Sequence, residues 1–121
     1  MLKLYDYLEN IAAERKSRQW YAESRLNYFL TDIMKALEIS NTKEINAALN
    51  RVFHACATLR ISFSENFKRV YRHNEGKLIS DWKLSPLACY LVIINCDPNH
   101  ENVAKAQLYF AVQPPPVIHN D

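Results

Sequence analysis

Lys83–Gln113 reads KLSPLACYLVIINCDPNHENVAKAQLYFAVQ, and the remainder of the chain has to be arranged around it. It holds the longest apolar run of the sequence, Leu87 to Ile94, broken only by Tyr90. Two start signals of one kind punctuate it, Ser85 before Pro86 and Asp97 before Pro98. Proline at a first helical position gives up an N–H that would be unpaired anyway, and a Ser or Asp before it accepts from the next free N–H groups. The spacing therefore predicts consecutive helices over 86–95 and 98–113. A helix with no polar face has to be covered on all sides, so earlier segments are expected to wrap around the first of them.

Outward from this stretch, composition limits the choices. A chain of 121 residues fits one core, read as a single helical domain over 1–113 followed by a proline-rich tail over 114–121. One glycine in the whole chain argues against an all-β fold, whose turns use glycine freely. The fold class is therefore mainly α (α+β), a compact helical domain with a helix-turn-helix-like unit and one basic β-hairpin. Cys56, Cys89 and Cys96 cannot all pair within one chain and are expected to be reduced core residues of a cytoplasmic protein. Asp6 and Glu9 interrupt any signal peptide, and the 87–94 run is far shorter than the roughly 20 residues that cross a bilayer, so no membrane role is expected.

Upstream, Leu2, Leu4, Tyr5, Leu8, Ile11 and Ala12 recur at helical spacing and predict a first helix to about Lys16. Trp20 is expected to anchor the polar stretch that follows. Thr31 is read as the N-cap of a short helix over 32–38. After the turn Ile39-Ser40-Asn41, Asn41 or Thr42 caps a longer helix over 42–58 that buries Ile45, Ala48, Leu49, Val52, Phe53 and Cys56. Short helix, turn and longer helix is the layout of a helix-turn-helix unit, which any antiparallel helix pair also imitates. From Phe67 the period changes, and a β-hairpin is expected with Asn74–Gly76 at its turn.

The net charge of +2 is unevenly spread. Residues 1–42 hold six Lys/Arg against six Asp/Glu, residues 43–83 eight against four, and residues 84–121 one against three. The basic excess thus falls on the predicted 42–58 helix and the hairpin, the footprint a phosphate backbone attracts. On the helix, Asn46, Asn50 and Arg51 are side chains that reach base edges, and Thr42 and Lys43 suit phosphate. On the hairpin, Lys68, Arg69, Arg72 and Lys77 could follow a backbone as a wing does. The alternatives are a solvated helix face and a hairpin whose cations protect its edge from aggregation. Most aromatics are explained as core; Tyr71, beside Arg69 and Arg72, is the exception suited to stacking on an unpaired base.

Catalysis finds little support. His54 and Cys56 point in widely different directions on a helix, no CxxC or HxxxH could hold a metal, and a single glycine allows no phosphate loop. No enzyme activity, cofactor or metal is expected.

The order of parts also resembles a known family. Leu84, Ser85, Ala88, Cys89, Tyr90, Leu91, Asn95, Asp97, Pro98, Ala104, Gln107, Tyr109, Phe110, Ala111, Val112 and Gln113 stand where the BRO N-terminal domain family, with its DNA-damage-inducible protein D-like members, has LSRYACYL…NGDP…A..QTYFAVQ. Cys96 replaces the small residue before Asp-Pro, and Pro114–Pro116 replaces an arginine-rich continuation. The resemblance implies a DNA-binding regulator or accessory factor of a bacterium, phage or mobile element. A phage-type inhibitor that occupies a host protein, blocking defence or repair without touching DNA, is the alternative. A homodimer is expected if paired half-sites are read, with the first helix as its interface.

Overall fold

The computed structural model describes residues 4–15 and 26–112, the side chains of 12–15 excepted. The expectations for Trp20 and for the proline-rich tail lie outside the described residues. The elements in order are α1 (Leu4–Arg15), β1 (Tyr28–Phe29), α2 (Leu30–Leu37), α3 (Thr42–Leu59), the single turn α4 (Phe63–Asn66), β2 (Phe67–Asn74), β3 (Lys77–Leu84), α5 (Pro86–Ile94) and α6 (Glu101–Ala111). An α+β domain with one antiparallel sheet, ordered β1-β3-β2, is the result.

The apolar helix occupies the centre. α5 packs against α1, α3, α6 and β3, and Ala88, Cys89 and Val92 are fully buried. Ser85 caps it as the sequence predicts, accepting from Ala88 N at 3.0 Å. The covering is incomplete: Leu87, Tyr90 and Leu91 are half-buried and Ile94 is exposed, positions three and four apart that form one side of the helix. No described helix is long and apolar enough to cross a membrane.

The second proline signal works differently. Asp97 Oδ1 accepts from Asn99 N at 3.0 Å, and His100 N donates to Asp97 O at 3.2 Å, so Asp97–His100 folds as a turn and α6 begins only at Glu101. An Asx side chain bonding two residues ahead competes with the helix it could have capped. Gln107 then fastens α6 to the end of α5, its Nε2 donating to Ile93 O and Cys96 O, each at 3.0 Å.

Asn41 is the N-cap of α3, accepting from Lys43 N at 3.0 Å. Thr31 caps nothing. α2 starts one residue before it, at Leu30, and the cap position is Phe29 with no side-chain bond. Both helices end in Schellman motifs. Glu38 N and Ile39 N donate to Lys35 O and Met34 O at 3.1 and 2.8 Å, and Arg60 N and Ile61 N donate to Ala57 O and Cys56 O at 3.3 and 2.9 Å. Glu38 and Arg60 adopt the left-handed conformation, φ 60° and 57°, that glycine usually takes in this motif.

α2, its turn and α3 follow in the expected order, yet each helix finds its main packing elsewhere. α2 lies against β1, β3, α1 and α6, and α3 lies against α4 and α5. The mutual packing that characterises a helix-turn-helix pair is not the principal contact of either helix.

Candidate nucleic-acid interface

The hairpin is built by strand alternation and a two-residue turn. β2 and β3 pair from Phe67↔Leu84 to Asn74↔Lys77. Glu75 and Gly76, φ 54° and 78°, supply the two positive angles that a tight hairpin turn with the right twist requires. Because side chains alternate, the register sorts the hairpin into two faces.

One face is folded onto the domain. Asp81, 2% exposed, accepts from Thr31 Oγ1 at 2.6 Å, from Thr31 N at 3.2 Å and from Trp82 N at 2.8 Å. Arg72 lies 3.5 Å from Asp81 Oδ2 and 3.6 Å from Asp32 Oδ2, with its guanidinium 3.9 Å from the centre of the Phe29 ring. Lys83 also sits over Phe29, at 5.7 Å, and Lys35 Nζ donates to Asn74 Oδ1 at 3.3 Å. This network docks α2 on the hairpin. It also assigns Arg72, a candidate DNA contact in the sequence, to the inside: its charge is already matched by two carboxylates.

The other face is open. At its foot Phe53, Phe63, Phe67 and Trp82 form a cluster with centroids 5.1 to 6.4 Å apart. Arg69 lies over Trp82, 5.0 Å from the ring centre. Above it, Arg69, Tyr71 and His73 on β2 and Leu78 and Ser80 on β3 are exposed, Tyr71 at 72% and Leu78 at 63%. Lys68 and Lys77 are exposed as well, on the side shared with Arg72.

The candidate residues of α3 divide. Thr42, Asn46 and Asn50 recur every four residues and form one exposed stripe with Lys43 beside it. Phe53, seven residues after Asn46 and so on the same side of the helix, packs on Phe67 and Trp82 at 5.2 and 5.7 Å. The stripe therefore leads to the foot of the open hairpin face. Arg51 belongs elsewhere: its Nη2 donates to Asn95 O, the carbonyl just past the end of α5. A cation there also suits the negative end of the helix dipole. Arg51 lines a cleft of about 580 Å³ with Glu44, Ala47 and residues 94–98. Beside it, burial, reinforced by Glu44, pushes the Cys96 thiol up to about 11, against the opposing influence of Arg51.

Among the described residues no group of His, Cys, Asp and Glu is placed to hold a metal ion. His73 and Ser80 are exposed residues that charge counting passed over. The signal was present as the alternation Arg69-x-Tyr71-x-His73, which puts three planar side chains on one side of a strand.

No family model matches the chain. The chain is similar to DNA damage-inducible protein D of Escherichia coli strain K12, 31% identical over 84 residues, an alignment covering 65% of this chain and 31% of that protein. The aligned part is thus under a third of the relative's length. No solved structure matches.

Proposed function

We propose that the chain is a DNA-binding domain of a regulator or accessory factor acting in the response to DNA damage, without catalytic activity of its own. The observation that carries this reading is the open hairpin face, where Arg69 is held over Trp82 beside exposed Tyr71 and His73. Cations next to flat rings recognise what nucleic acids offer, phosphate charge and base faces. Thr42, Lys43, Asn46 and Asn50 on α3 extend the contact surface from its foot, and Lys68 and Lys77 add positive charge on the other side of the hairpin. Similarity to part of a DNA damage-inducible protein supports the setting.

Binding of labelled DNA at about 50 and 200 mM salt tests it. Contact with three or four phosphates gives a log–log slope of roughly −3, so affinity falls tens of fold between the two salts. Charge reversal at Arg69 and Lys43 weakens binding and leaves thermal stability unchanged. Undetectable binding at the lower salt removes the proposal.

A protein partner is the second reading. Tyr71 and Leu78 on the open hairpin face and Phe63 at its foot are large apolar side chains, each more than 45% exposed. Exposed apolar area of this kind also marks protein contacts. On that reading the same face binds a host protein, and its affinity is nearly indifferent to salt.

A further inference from the structure

Taking the DNA-binding reading as its basis, we infer that the open face of β2 is a stacking platform for successive unpaired bases of an extended single strand. Arg69, Tyr71 and His73 occupy alternate positions of one strand and are all exposed on one face. Their side chains are planar: a guanidinium, a phenol and an imidazole. Trp82, opposite Arg69 in the register, backs the guanidinium from below and leaves its outer surface to solvent.

Spacing selects the ligand. Alternate residues of a strand are about 6.6 Å apart, roughly twice the 3.4 Å rise of stacked bases along one strand of a duplex. Bases resting on neighbouring platform residues cannot remain stacked on each other. A duplex does not offer its bases in this way, whereas a single strand stretched along β2 does. Base–aromatic stacking is tolerant of sequence, because every base has a π-face. Arg69 supplies the positive charge on this face for an accompanying phosphate, whereas Lys68 and Lys77 are exposed on the side shared with Arg72. Arg72 is excluded from this role by Asp32 and Asp81, which hold its charge on the opposite face.

The chemistry named is that of an unpaired nucleobase, which single-stranded DNA and RNA both present. Fluorescence anisotropy of the full chain with labelled dT12, U12 and a self-complementary DNA hairpin of matched charge tests the inference. The wild type is expected to bind dT12 at least tenfold more tightly than the duplex. Tyr71→Ala is expected to lose roughly tenfold in affinity for dT12, Tyr71→Phe to stay within twofold, and Arg69→Lys, which keeps the charge and loses the plane, to weaken binding clearly. Tyr71 and Arg69 are exposed, so thermal melts of the variants should match the wild type and exclude misfolding as the cause. The ratio of dT12 to U12 affinity assigns the sugar, and either assignment supports the platform.

Equal or tighter binding of the duplex overturns the inference and leaves DNA binding standing. Tyr71→Ala binding dT12 like the wild type does the same. Failure of every oligonucleotide to bind at low salt overturns both.

Discussion

Thr31 Oγ1 donates a 2.6 Å hydrogen bond to Asp81 Oδ2, joining the first turn of α2 to the middle of β3 across fifty positions of sequence. With Arg72 at 3.5 Å the carboxylate is both hydrogen-bonded and charge-matched. Asp81→Ala leaves a half-buried guanidinium without its inner partner and should cost about 3 kcal/mol in denaturant unfolding. Arg72→Ala should cost less, since Asp32 and Arg72 are partly open to water. If charge reversal at Arg72 weakens nucleic-acid binding with no loss of thermal stability, its placement as a brace is wrong.

Ser85 and Asn66 form a second buried pair. Ser85 Oγ donates to Asn66 Oδ1 at 2.6 Å while capping α5, and Asn66 Nδ2 donates to Ser62 O at 2.7 Å. Ser85→Ala removes the cap and orphans a buried acceptor, a loss of about 2 kcal/mol by urea unfolding. An effect below about 0.5 kcal/mol would show that water replaces the hydroxyl there.

Two backbone positions with positive φ should respond in opposite directions. Gly76, φ 78°, has open space around its missing Cβ, so Gly76→Ala is opposed by conformation alone and should lower stability by about 1 kcal/mol. Arg60, φ 57°, already bears that strain as a non-glycine at the end of α3. Arg60→Gly should raise the melting temperature, by roughly 0.5 to 1 kcal/mol in stability, and a decrease would mean that the Arg60 side chain makes a contact of greater value.

Stability should fall at alkaline pH through Cys96. Its thiol is raised from 9.0 to about 11 by burial, so below pH 9 both folded and unfolded chains keep it neutral and the full stability is present. Between pH 9 and 11 the unfolded chain ionises first, and stability declines by up to about 2 kcal/mol. Cys96→Ala should reduce the slope between pH 9 and 10, with a remainder because burial raises the Cys56 thiol as well. Above pH 10 a decline should persist in that variant, because burial raises the Tyr7 phenol and, beside Glu9, the Tyr109 phenol too, and Tyr7→Phe should lessen it. An unchanged slope in Cys96→Ala between pH 9 and 10 refutes the assignment.

The hairpin was legible because its signals are local: period-two alternation, and a lone glycine where two positive φ values meet. The site was legible only in part. Lys68, Arg69 and Lys77 are exposed as their charge suggests, but Arg72 has the same residue type and opposite fate. Arg51, similarly, is drawn to a carbonyl at the end of α5 that lies forty-four positions away.

By itself the sequence determined the apolar helix, expected over 86–95 and found over Pro86–Ile94, its Ser85 cap, a cap at Asn41 or Thr42, and the hairpin, since apolar period, capping chemistry and turn chemistry act within a few residues. Only the tertiary structure decided that Thr31 would abandon its cap for Asp81, that Asp97 would close a turn, that α2 and α3 would each pack mainly on other elements, and which arginine faces outward. Those outcomes depend on which carboxylate or carbonyl a distant segment brings within about 3 Å, where a buried charge or polar group must find a partner. Sequence spacing carries no record of that distance.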